Sequence, residues 1–92
     1  MLFMSIYTYE PEKRNEIIKR RAEKGALTAT GVKIIGEWIA LSGHRGFILF
    51  EAQDPKAVMA TTLAWSDLLR FESVAVMEAE EVMKMAKSQA KG

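Results

Sequence analysis

The sequence has no cysteine. That excludes a disulfide framework, a thiolate nucleophile and a cysteine-based zinc site, and it suits a reducing cytoplasm. There is a single histidine, His44. One histidine builds a metal site only if carboxylates complete it, and no His-x-x-x-His or Glu-x-x-His spacing is present, so no metal is expected. Charge of one sign is also lacking: 13 Lys and Arg stand against 12 Asp and Glu, a net charge of +1. No global field draws in nucleic acid or an anionic membrane. No apolar run approaches the ~18 residues of a membrane span. Met1-Leu2-Phe3-Met4 leads straight into strand-like sequence, without the pattern of a secretory signal. Gly31, Gly36, Gly43 and Gly46 are scattered through a hairpin and form no phosphate-binding loop. Ser42 lacks the Gly-x-Ser-x-Gly setting of a hydrolase nucleophile. No motif for NAD, flavin, haem or nucleotide occurs, so no cofactor is expected. The 92 residues suffice for one domain, residues 1–92, expected to be soluble and cytoplasmic.

What is present is a regular alternation of elements. Leu2 to Tyr9 is β-prone and apolar or aromatic at most positions. In EPEKRNEIIKRRAEKG, Pro11 suits a first helical position, acids crowd the first turn, bases the last, and Gly25 is a natural stop. Only Ile17, Ile18 and Ala22 make an apolar stripe, which predicts a surface helix with one narrow buried edge. A strand is expected from Val32 to Leu41, a turn at SGHR, and a strand from Gly46 to Ala52. Asp54-Pro55 is an N-cap followed by proline at the first helical position. Val58, Thr62, Trp65 and Leu69 then recur at helical spacing, which predicts Trp65 on the buried stripe of the second helix. Phe71 to Glu78 reads as a fourth strand, and the tail AEEVMKMAKSQAKG as a last short helix. The order β-α-β-β-α-β with a C-terminal helix is the ferredoxin-like split βαβ pattern, an α+β fold. Crossover handedness puts both major helices on one face of a four-stranded antiparallel sheet.

The hairpin GEWIALSGHRGFILFEAQD, Gly36 to Asp54, is apolar on both sides. With a turn centred on Gly43-His44, Trp38 is expected opposite Leu49, Gly36 opposite Glu51 and Glu37 opposite Phe50. One face then carries Val32, Ile34, Gly36, Trp38, Ala40, Phe47, Leu49 and Glu51. The other carries Lys33, Ile35, Glu37, Ile39, Leu41, Ile48, Phe50 and Ala52. A half-solvated antiparallel sheet alternates apolar and polar, and two helices cover only one side. The uncovered side would exceed the few hundred Å² of apolar patch that monomers tolerate. The expectation is a homodimer in which two sheets face each other around a twofold axis and close a dimeric α/β barrel.

Over nearly its whole length the chain resembles a family of small dimeric α/β-barrel proteins known as a domain of unknown function. The resemblance rests on LFMSIYTYEPEKR, GVKIIGEW, GFILFEAQDP and LAWSDLL. It implies the ferredoxin-like fold and the dimer but brings no activity. Fold relatives include cofactor-free oxygenases, isomerases, stress-linked barrels and ligand-sensing modules, so the fold does not select a function.

The candidate site is a cleft between sheet and helices. Trp38, flanked by Gly36 and Ala40, is expected as its aromatic wall, with Glu51 as an acid at its border. Burial would raise the pKa of such an acid and suit proton shuttling. The plainer alternative is a core tryptophan and a solvated strand-end glutamate. Trp65, Tyr7 and Arg45 complete the ligand-binding candidates, and Asp67 is a polar contact at the cleft mouth. His44 and Glu51 are the only acid/base candidates for a catalytic role. The reading is a protein that binds a small apolar or aromatic molecule in a sensing or accessory role. A cofactor-free oxygenase or isomerase is the competing class. The strand order also resembles RNA-recognition motifs, with Arg45-Gly46-Phe47 and Leu2-Phe3-Met4 as partial signatures. Ile48, Leu49 and Ala52 then depart from the pattern, which argues against RNA.

Overall fold

The computed structural model describes residues 1–91. Strand β1 (Leu2–Thr8) leads through a 3-10 turn (Pro11–Lys13) into α1 (Arg14–Lys24). Then come β2 (Val32–Ile39), β3 (Arg45–Ala52), α2 (Pro55–Leu63), β4 (Arg70–Ala75) and α3 (Ala79–Lys91). The strands form one antiparallel sheet in the order β2-β3-β1-β4. This is the ferredoxin-like α+β arrangement. No helix among the described residues is long and apolar enough to cross a membrane.

The boundaries follow local chemistry. Gly25, at φ 73°, ends α1 in a backbone region that side chains disfavour, and its N–H donates to the Arg21 carbonyl at 2.9 Å. The Asp54 carboxylate caps α2 by accepting from the Lys56 N–H at 2.9 Å, with Pro55 in the first turn. Helix α2 stops at Leu63, earlier than the heptad-like spacing predicts. Thr61 and Thr62 return their hydroxyls to the carbonyls of Ala57 and Val58, a bonding pattern that weakens a helix. Trp65 therefore sits in the following turn rather than on the helix. There its carbonyl accepts from the N–H groups of Leu68 and Leu69, and the turn rolls all three side chains inward.

The hairpin departs from its expected register in two ways. Its loop is Leu41 to His44, with Gly43 and His44 both at positive φ, so Trp38 pairs with Phe47 and Gly36 with Leu49. A bulge lies between Ile34 and Gly36. The extra residue reverses the alternation, so Val32 and Ile34 share a face with Glu37, Ile39, Ile48 and Phe50. That face, with Phe3, Ser5 and Tyr7 from β1 and Phe71 from β4, lies under the helices. The rear face carries Leu2, Met4, Ile6, Trp38, Phe47, Leu49, Glu51 and Val74.

The buried cluster is small and lies at one end of the helix layer: Tyr7, Trp65, Leu68 and Leu69, with Ile17, Ile48 and Phe71 against it. Neither α1 nor α2 contains a buried residue. On the rear, Trp38 and Ile35 are 55% and 51% exposed. The tail helix is not short: α3 has 13 residues, all solvent-exposed over 79–90. It stands away from the body, and the radius of gyration is 15.9 Å where a compact chain of this length has about 12 Å.

Candidate functional site

Between the sheet and helices α1 and α2 is a cavity of about 570 Å³. Its floor is Ile34, Ile48, Phe50 and Tyr7, and its roof includes Ile17, Val58 and Trp65. The volume falls in the range of small-molecule sites, roughly 300–1,000 Å³. The cavity exists because the helices bring few large apolar side chains to the sheet: α1 offers Ile17, Ile18 and Ala22, and Ile18 is itself half exposed.

Besides Ser5, Arg14 and three threonines, one hydrogen-bonded polar constellation interrupts this lining. Glu37 accepts from the Tyr7 hydroxyl at 2.8 Å and from Arg21 through two nitrogens, Nη2 at 2.7 Å and Nη1 at 3.2 Å. The three residues come from β2, β1 and α1, so the constellation also ties the lid helix to the floor. Burial acts to raise the Glu37 pKa, but the Arg21 and Tyr7 hydrogen bonds outweigh it and hold the carboxyl below its usual range. Burial, followed by the bond to Glu37, pushes the Tyr7 phenol far above its ordinary value. At neutral pH the site therefore contains a carboxylate, a guanidinium and a neutral phenol.

Tyr7 lies across β3 because position 46 is glycine. A Cβ at Gly46 would fall on Cζ and Oη of the Tyr7 ring. Tyr9 packs beside Tyr7 with ring centroids 6.5 Å apart, and His44 stands edge-on to Tyr9 at 5.4 Å. Trp65 is held by its indole N–H, which donates to the Ala26 carbonyl at 2.8 Å, and by the Arg20 guanidinium 5.4 Å from its ring centre. Arg20 in turn grips Asp67 with two bonds of 2.8 and 2.6 Å. That pairing with Arg20 lowers the Asp67 carboxyl to about 2. Asp67 thus fastens α1 to the turn after α2 and is absent from the cavity wall.

Of the residues singled out in sequence, Tyr7 and Trp65 line the cavity. Trp38 and Glu51 do not. Both are exposed on the rear face, and the Trp38 ring folds over Gly36, where a Cβ would stand 2.7 Å from its Cη2. The space expected beside Gly36 is occupied by the tryptophan itself. Arg45 is also on the rear, its guanidinium 5.3 Å from the Phe47 ring centre. His44 stays in the hairpin loop, outside the cavity lining. Phe3 stacks on Phe50 under the helices, so the partial RNA-recognition signatures are split between opposite faces. No three or more metal-ligating side chains cluster among the described residues.

The cavity carboxylate that the sequence reading missed is Glu37. The sequence pattern already groups Glu37 with Ile39, Ile48 and Phe50. The helices cover that face rather than the one with Trp38 and Glu51, and the bulge before Gly36 adds Val32 and Ile34 to it.

One solved structure shares the fold. An uncharacterized NIPSNAP domain protein from Burkholderia xenovorans superposes with a TM-score of 0.54 at 20% identity, covering 86% of this chain and 96% of its own. A protein from Deinococcus radiodurans, provisionally assigned as an antibiotic biosynthesis monooxygenase, is a looser match, with a TM-score of 0.48 at 14% identity over 86% and 95% of the two chains. No curated protein matches the sequence. The family model that matches spans residues 1–90. The chain belongs to the DUF3303 family of domains of unknown function.

Proposed function

We propose that this protein is a homodimeric α/β-barrel domain of the cytoplasm that binds a small apolar or aromatic molecule between sheet and helices, in a sensing or accessory role. The observation that carries the reading is the cavity of about 570 Å³, lined mainly by apolar side chains with the Tyr7–Glu37–Arg21 constellation and a few serine, threonine and arginine side chains among them. Few convergent polar groups in an otherwise apolar hollow are the usual composition of a ligand site. The competing enzyme reading would need Glu37 as its base, since Glu51 and His44 lie outside the cavity. A carboxylate held below its usual pKa is a weak base, which favours binding over turnover.

The dimer is supported by the rear face. Trp38, Ile35 and Val74 are exposed there beside Met4, Ile6 and Leu49, and the side chains of α3 over 79–90 are themselves exposed. A second copy covers such a surface with its own. Light scattering at micromolar concentration should give twice the chain mass, and Trp38→Glu should halve it while the far-ultraviolet dichroism is retained. A wild-type mass of one chain removes the dimer.

The ligand reading is tested with the neutral dye N-phenyl-1-naphthylamine. Its emission should rise on binding at one dye per chain. Val58→Phe, which fills the cavity, should weaken binding, and Trp38→Glu should leave it intact. The opposite pattern places the dye on the rear face and overturns the reading.

A further inference from the structure

We propose that the ligand of this cavity carries a neutral hydrogen-bond donor, a hydroxyl on a ring-sized apolar body, and that Glu37 and Tyr7 receive it. The inference rests on the reading of the cavity as a ligand site and specifies the chemistry of that ligand. It comes from counting which polar valences around the cavity remain open. Thr61 donates to the Ala57 carbonyl and accepts from the Ala29 N–H. Thr62 donates to Val58, Trp65 donates to Ala26, and Ser5 is paired with Ser73 across the strands at 2.5 Å. The two threonines and Trp65 have already used their donors on the protein, Ser5 and Ser73 share one bond in which either hydroxyl can donate, and the Tyr9 and Thr28 hydroxyls lie elsewhere along the lining.

The Tyr7–Glu37–Arg21 constellation is different. An ionised carboxylate offers about four acceptor sites. Glu37 uses two on Oε2, for Tyr7 and Arg21 Nη1, and one on Oε1, for Arg21 Nη2. One site on Oε1 remains. The Tyr7 hydroxyl has given its proton to Glu37 and keeps its lone pairs. Arg21 keeps three N–H groups, but its side chain is 47% exposed; on the two more buried members, Glu37 and Tyr7, the open valences are acceptors, and they call for a donor. A ligand anion there would meet the Glu37 charge, while the guanidinium nearest to it is already neutralised by that same carboxylate. A hydroxyl gains a charge-assisted bond and leaves the surrounding apolar lining to the rest of the molecule. The remaining cation of the lining, Arg14, is exposed at the start of α1, and it makes the anionic alternative testable.

The experiment is competition against the bound dye at pH 7 by three probes of one shape: 2-naphthol, 2-methoxynaphthalene and 2-naphthoate. The naphthol should displace the dye at least tenfold more tightly than either of the others. Glu37→Gln should reduce that advantage to threefold or less while leaving the methoxy compound unchanged. Tyr7→Phe keeps the ring over Gly46, provides a second route if the first variant folds poorly, and should act in the same direction. Naphthoate binding tightest, with Arg14→Ala abolishing its advantage, would overturn the proposal in favour of an anionic ligand. Equal binding by all three would overturn it while leaving the apolar cavity as a site. Failure of all three, with no dye signal to displace, would remove the cavity reading and the ligand class together.

Discussion

Replacing Glu37 with glutamine measures what the constellation contributes to the fold. Glu37 accepts three hydrogen bonds, of 2.8, 2.7 and 3.2 Å, from Tyr7 and Arg21. Bonds to a charged group contribute about 1.5–3 kcal/mol each when buried. The Arg21 side chain is 47% exposed, so screening discounts its two bonds, and the amide keeps one carbonyl acceptor. The net loss at pH 7 is then about 2 kcal/mol. For a chain of this size that is a fall of roughly 8–16 °C in thermal midpoint. The pH dependence makes the argument specific. A carboxyl depressed in the folded state contributes stability that is complete above its unfolded value, about 4.3, and lost as pH falls through the folded value. The gap between wild type and variant should be full at pH 7 and narrow steadily below about pH 4. Urea unfolding followed by tryptophan emission, at fixed protein concentration and stepped from pH 7 downward, reads both quantities. A gap independent of pH, or one under roughly 0.5 kcal/mol at pH 7, would refute the assignment, because ordinary surface substitutions lie in that range.

Gly46→Ala should cost about 2–3 kcal/mol through overpacking against the Tyr7 ring. Gly43→Ala meets open space and should cost only about 1 kcal/mol for its φ of 78°, so chemical denaturation should separate the two glycines. Asp54→Ala should lower stability by about 1 kcal/mol through loss of the α2 cap, with no change in dye binding. Asp67→Asn breaks the exposed Arg20 clamp; its thermal shift should be smaller than that of Glu37→Gln and vanish in molar salt, since exposed pairs are screened.

Much of the fold was legible in the sequence because its signals are local. Pro11, Gly25 and Asp54-Pro55 mark helix ends that the structure places within a few residues of expectation. The strand order follows from the alternation of elements, and the period of two along β1 puts Tyr7 on one side with Phe3 without selecting the side that the helices cover. The site was less legible because it depends on parity across a sheet. Both hairpin faces are apolar, so the pattern does not tell which one the helices cover. They cover the face of Glu37, Ile39, Ile48 and Phe50, to which the bulge at Ile35 adds Val32 and Ile34, and Trp38 and Glu51 are left behind the sheet. Glu37 then becomes the cavity carboxylate in place of Glu51. Trp65 was correctly placed inside but for another reason, as the anchor of a turn rather than a position on a helical stripe. The length of α3 was underestimated because its lysines read as a frayed end. Its apolar residues, Val82, Met83 and Ala86, in fact fall at helical spacing.

The most direct test of a site between sheet and helices is a crystal soaked with 6-bromo-2-naphthol, with the bromine located by its anomalous signal. The bromine should appear once per chain inside the cavity bounded by Phe50, Val58 and Trp65, with the naphthol oxygen beside Glu37. A bromine on the rear of the sheet against Trp38, or a cavity closed by the helices settling onto the strands, would contradict it.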